Sequence, residues 1–147
     1  MYRSIVIGTD GSETAGEAVR QAIELAKSVG ATLHLVGAYQ PVPEQQLRHD
    51  RQQAPEDVQW SINPHQEVDK TLSDAREKVE KAGVEVEVHS REGDPADAIL
   101  DVADDVNADL IMVGNRGMTG ARRFLLGSVP NKISHHANSS VMIIRTT

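Results

Sequence analysis

Five short β-prone runs set the terms for this chain. "SIVIG" (4–8), "ATLHLVGAY" (31–39), "VEVEV" (84–88), "DLIMVG" (109–114) and "VMIIR" (141–145) are each too short for a stable helix. The segments between them change period. Ala15, Ala18, Val19, Ala22, Leu25, Ala26 and Val29 recur every three or four residues, the signature of an amphipathic helix. Ser12 suits its N-cap and Gly30 its stop. Val68, Leu72, Ala75, Val79 and Ala82 repeat the pattern up to Gly83, and Asp94-Pro95 opens a third helix running to about Val106. A short helix from about Ser128 precedes the last run. Strands alternating with helices predict a single α/β domain over 1–147, a parallel sheet with helices on both faces. Aromatics make up 3% of the 147 residues, so the core must be built from aliphatic side chains.

The bulk properties exclude several classes. With no cysteine, thiol catalysis, disulfides and Cys-ligated zinc are removed together. A net charge of -7 argues against a nucleic-acid binder, whose affinity comes mostly from neutralising phosphates. No stretch approaches a membrane span and "MYRSIVIGTDGS" does not read as a leader, so a cytoplasmic protein is expected.

Parallel sheets bind ligands beyond the carboxyl ends of their strands, where the strand order reverses. Two stretches occupy such ends. Thr9-Asp10-Gly11-Ser12 follows the first strand, and "VGNRGMTGARRFLLGSVP" (113–130) follows the fourth. The second carries Gly114, Gly117 and Gly127-Ser128 in the spacing G-x2-G-x9-G-S. The first two glycines allow close approach of the main chain, and Gly127-Ser128 offers a hydroxyl and free N–H groups at a helix start, a natural phosphate site.

"IVIGTDGS", "VGNRG", the G-x2-G-x9-G-S frame and the closing apolar strand together resemble the universal stress protein family over nearly the whole chain. In that family this spacing marks the ATP-binding branch. The ending "LLGSVPNKISHHANSSVMIIRTT" resembles small actinobacterial members, some of which prefer cyclic AMP. The resemblance implies a Rossmann-like five-stranded sheet of order 3-2-1-4-5 and a cytoplasmic dimer that binds ATP, with cyclic AMP as the alternative ligand. It also implies that Thr9, Asp10 and Gly11 border the phosphates, Asp10 through a nucleotide-bound Mg2+ or Mn2+. Ala38 would meet adenine through its backbone, and Val113 and Gly114 would lie along the nucleoside. Asn115, Arg116 and Gly117 would approach the ribose and phosphates, while Gly127, Ser128 and Val129 would hold the phosphates. The exposed apolar strand Val141 to Arg145 is expected to pair with its copy in a homodimer, whereas the third strand blunts its edge with glutamates.

Other signals are read structurally. "GSETAGEA" mimics a P-loop, but Glu17 stands where the lysine belongs. His135-His136 are neighbours on a helix and share no face, so a solvated pair is expected. His34 and His89 sit in strand patterns without evident ligand partners, and Trp60 lies in the long polar segment 40–63. No residue stands out as a general base for phosphoryl transfer, which favours binding with slow or no hydrolysis. The rivals are an ATPase or nucleotidyl-transfer enzyme of related fold and a nucleotide-free interaction module.

Overall fold

The computed structural model describes residues 2–40, 64–115 and 128–146. Its elements run β1 (Ser4–Gly8), α1 (Glu13–Val29), β2 (Thr32–Tyr39), α2 (Pro64–Lys81), β3 (Val86–Glu92), α3 (Pro95–Asp105), β4 (Leu110–Gly114), α4 (Ser128–His136) and β5 (Ser140–Ile144). The five strands form one parallel sheet of order β3-β2-β1-β4-β5, as expected.

The period-2 alternation of the inner strands divides the core in two. Ile5, Ile7, Leu33, Leu35 and Met112 point to the face covered by α1 and α2. Val6, Val36, Ile111 and Val113 point to the face that α3 and α4 cover with Ile99, Val102 and Ile133. Ile5, Val6 and Ile7 are all fully buried, so β1 is the innermost strand. α1 lies on the sheet through Ala18, Ala22 and Ala26, an i, i+4 row whose small side chains let the helix approach closely.

The expected caps are present. Ser12 Oγ accepts from Ala15 N at 3.2 Å, and Gly30 ends α1 with φ 73°. Asp94 Oδ2 accepts from Asp97 N at 3.1 Å ahead of Pro95.

β3 differs from the alternating stretch 84–88: it starts two residues later and runs on to Glu92. Val84 is buried and its N–H donates to Val79 O at the end of α2, which delays the ladder. At the other end, Gly37, Ala38 and Tyr39 pair with Ser90, Arg91 and Glu92. An edge strand needs no continuous apolar pattern, so its polar half was invisible to periodicity. β5 likewise sits one residue earlier than 141–145.

The α2–sheet contact depends on a missing side chain. A Cβ on Gly37 would stand 2.5 Å from Val68 Cγ1 and 3.3 Å from two carbons of Leu72. Gly37→Ala should therefore destabilise the fold by about 1–3 kcal/mol in urea unfolding, the usual cost of overpacking. Adding Val68→Ala should recover part of that loss, giving a non-additive double-mutant cycle.

Candidate functional site

The order β3-β2-β1-β4-β5 places its reversal between β1 and β4. The chain leaves β1 for α1 on one face of the sheet and leaves β4 for α4 on the other. The chain thus departs from β1 and β4 to opposite faces, the arrangement that leaves a crevice beyond the strand ends.

On the β1 side, Thr9 is a buried pin. Its N–H donates to Val36 O at 2.9 Å, and its Oγ1 accepts from Gly11 N at 3.3 Å. Asp10 is exposed, with Oδ1 accepting from Ser12 N at 2.9 Å in a turn that closes on the helix cap. Gly11 has φ 80°, and a Cβ there would lie 3.1 Å from Thr71 Cγ2 and Oγ1 of α2, so conformation and space both call for glycine.

β2 runs past β1. Its last residue in register with β1 is Val36, opposite Gly8, while Gly37 to Tyr39 pair only with β3. Thr32 N bonds Arg3 O and Val36 O accepts from Thr9 N, whereas Leu33 N and Tyr39 O bond towards β3. The even residues of β2 thus aim their peptide groups at β1. Ala38 turns its N–H and C=O towards the crevice, where β1 has already ended.

On the β4 side, Val113 is buried beneath the crevice and Gly114 is half-buried at its floor. Asn115 continues the ladder, donating its N–H to Ile144 O at 2.7 Å. Its carboxamide oxygen accepts from both the N–H and the Oγ1 of Thr146, each at 3.0 Å. That oxygen is committed to anchoring the C-terminal segment. Ser128 begins α4, and the Val129 side chain is packed in the α3/α4 core, so Val129 can meet a ligand only through its backbone. Thr9, Asp10, Gly11, Ala38, Val113, Gly114, Asn115, Ser128 and Val129 thus belong to strand ends or a helix start at one rim of the sheet. Arg116, Gly117 and Gly127, like Trp60, lie outside the described residues.

A cavity of about 620 Å3 adjoins the first loop through Thr9, Gly11 and Ser12, and extends between α1 and α2 past Thr71, Asp74 and Lys78. It touches none of Val113, Gly114 and Asn115. The strand ends, not this cavity, define the crevice. Nearby, Glu17 is paired with Arg20 at 2.7 Å, which with Gln21 lowers its carboxyl pKa to about 2. A carboxylate held ionised where a P-loop has its lysine rules out Walker-type binding, as expected.

His34 and His89 are not the partnerless strand residues they resemble in sequence. Register sets His34 opposite Glu87, with His89 two residues further along the same face of β3. His34 Nδ1 lies 3.0 Å from His89 Nε2 and 3.3 Å from Glu87 Oε2. Burial lowers the pKa of both rings, further aided at His89 by His34 and Arg91, so the neutral imidazoles prevail near pH 7. Only strand register could have revealed this cluster. His135 and His136 are exposed, as their spacing implies.

The model of the universal stress protein family matches residues 1–145. The chain is 35% identical over 147 residues to the universal stress protein Rv1636 of Mycobacterium tuberculosis, covering 99% of this chain and 98% of that one. It is 31% identical to the universal stress protein YxiE of Bacillus subtilis, covering 99% of this chain and 100% of that one. Among solved structures, a universal stress protein in complex with cAMP superposes with a TM-score of 0.70 at 31% identity, covering 99% and 98% of the two chains. The Archaeoglobus fulgidus protein in complex with dAMP gives 0.68 at 28% identity, covering 98% of each. This chain belongs to the universal stress protein family.

Asn115 joins the crevice rim to the chain end, and its loss should register in both places. Asn115→Ala leaves the Thr146 N–H without its acceptor and should cost about 1 kcal/mol in urea unfolding. Hydrogen exchange at the Thr146 amide should accelerate while the amides of β1 keep their protection.

Proposed function

We propose that this chain is an adenine-nucleotide-binding regulatory protein whose nucleotide lies across the ends of β1 and β4. The observation that carries the reading is the Ala38 peptide, aimed over the end of β1 towards the crevice that Val113 and Gly114 floor. A backbone donor and acceptor side by side suit the edge of adenine. Two family members similar over their whole length hold cAMP and dAMP, both adenine nucleotides.

In this reading the nucleoside runs along Val113 and Gly114, with Asn115, Arg116 and Gly117 beside the ribose and phosphates. The loop from Gly127 to Val129 supplies N–H groups and the Ser128 hydroxyl to the phosphates at the start of α4. Thr9 and Gly11 shape the opposite wall. Asp10 reaches the phosphates through a nucleotide-bound Mg2+ or Mn2+, its Oδ1 already holding the turn. ATP is the ligand that the G-x2-G-x9-G-S spacing favours. Cyclic AMP is the second reading, favoured by the neighbour that holds it at 31% identity. Hydrolysis is slow or negligible, because Asp10 is spent on a turn and a metal and no other described side chain at the rim is placed as a general base.

The protein works as a cytoplasmic homodimer, one universal stress domain over 1–147, joined through β5. That strand is a sheet edge on which Met142 and Ile143 are 39% and 43% exposed, without the charges that guard β3. A two-fold pairing of like edges closes the assembly.

Competitive calorimetry of ATP and cyclic AMP, with and without magnesium, tests the ligand. ATP binding should weaken on adding EDTA, and Ser128→Ala should cost about 1 kcal/mol or more, the scale of a charge-assisted hydrogen bond. Tighter, metal-independent binding of cyclic AMP would establish the second reading, and no response to either nucleotide would remove both.

Light scattering tests the assembly. Wild-type protein should run as a dimer, and Ile143→Lys should shift it to monomer or aggregate. A wild-type monomer at high concentration would overturn the β5 contact.

A further inference from the structure

The His34–Glu87–His89 cluster lies on the α3 side of the sheet, between β2 and the edge strand β3, with His89 level with Val36 and the end of β1. Nothing in nucleotide binding uses it. Three donor atoms from two neighbouring strands, His34 Nδ1, His89 Nε2 and a Glu87 carboxylate oxygen, lie within 4.8 Å of one another. Two of their separations are 3.0 and 3.3 Å. Donors on a tetrahedral zinc ion, with bonds of about 2.0–2.2 Å, stand roughly 3.3–3.5 Å apart. The third pair, Glu87 and His89, lies within 4.8 Å, and side-chain rotation that draws it closer brings the set onto that geometry while the parallel ladder between β2 and β3 holds the backbone.

We propose that His34, Glu87 and His89 form a binding site for a borderline divalent transition ion, Zn2+ above all, with three protein ligands and an open fourth position. The chemistry of the donors supports this choice. Two imidazoles and one carboxylate favour zinc-like ions over Mg2+ or Ca2+, which take oxygen ligands. A hydrogen-bonded histidine pair is the alternative arrangement. It makes less of the cluster, because an Nδ1–H on neutral His34 can serve only one of its two neighbours, His89 Nε2 and Glu87 Oε2, fully.

The surrounding charges tolerate the ion. Arg91, on the same face of β3, is drawn onto Asp105 at the end of α3 at 3.6 Å. Glu87 and Asp105 outweigh that guanidinium. Burial is graded in a way that suits a site open on one side: His34 is 5% exposed, His89 is half-buried and Glu87 is exposed. Bound metal would clamp the edge strand β3 to β2.

Cobalt and zinc titrations of the full-length protein, stripped of metal and free of nucleotide, decide the matter. One equivalent of Co2+ should produce the visible absorption of a four- or five-coordinate site, and Zn2+ should displace it. Zn2+ should raise Tm, and EDTA should reverse the rise. His89→Gln and Glu87→Gln change residues that are not fully buried, and circular dichroism should report an intact fold. Each should weaken Zn2+ binding by about a hundredfold, at or above the loss seen when a supporting residue of a metal site is removed. The double variant His135→Asn, His136→Asn should titrate like wild type. Absence of the cobalt spectrum in wild type, or a spectrum that survives both His89→Gln and Glu87→Gln, would overturn the site. Because the measurement contains no nucleotide, it stands or falls independently of the nucleotide reading.

Discussion

The burial of β1 on both faces is the constraint on which the remainder of the molecule rests. Ile5, Val6 and Ile7 leave no side chain of the strand's centre in contact with solvent, so helices must cover both sides of the sheet. A right-handed crossover from β1 to β2 puts α1 on one face, and α2 follows it there. The remaining strands must then be added on the other side of β1, with α3 and α4 on the other face. That reversal leaves a gap at the ends of β1 and β4, between helices that depart to opposite faces. Ligand geometry is thus a by-product of covering a hydrophobic strand.

Much of this was legible in the residues. "SIVIG" coincides with β1, Ser12 and Gly30 bracket α1, and Asp94-Pro95 opens α3, because caps and period are local physics. Thr9-Asp10-Gly11 and Val113-Gly114-Asn115 could be assigned to strand ends for the same reason. Non-local information was out of reach. The polar half of β3, "HSRE", is a strand only because Gly37 to Tyr39 of β2 lie beside it. The meeting of His34 with Glu87 and His89 depends on a register across more than fifty residues of chain. Neither the Asn115–Thr146 clamp nor the contact of Gly11 with Thr71 leaves a pattern in sequence.

The same distinction explains the mixed use of the rim residues. Thr9, Asp10 and Asn115 look in sequence like ligands with free polar groups. In the fold each already accepts a hydrogen bond from a nearby backbone N–H: Gly11 to Thr9, Ser12 to Asp10, and Thr146 to Asn115. These bonds hold residues 9–12 and Asn115 in place before any ligand arrives. A preorganised rim lowers the ordering cost of binding, which suits a protein whose proposed task is to hold a nucleotide and not to turn it over. Stabilising a transition state would require side chains that stay available for the reacting atoms.

The two edges of the sheet have opposite surface chemistry, and the difference bears on how binding and assembly are connected. On β3, Glu87 and Glu92 are exposed, with exposed Glu85 just before them, and a strand with charges along its edge resists pairing with another. On β5, Met142 stands beside Met112 on the α1 side and Ile143 beside Val113 on the α3 side, so both faces of the edge are apolar. β5 is also the strand to which the crevice is tied. Asn115 N–H bonds Ile144 O, and the Asn115 carboxamide oxygen grips Thr146 immediately beyond the strand. In the proposed dimer, the element that meets the partner is therefore hydrogen-bonded to the residue just beyond β4, beside the proposed nucleotide site. A shift of the Asn115 peptide cannot leave the end of β5 unmoved without breaking bonds of 2.7 and 3.0 Å, so in the proposed dimer a nucleotide that moved Asn115 would also move the contact strand.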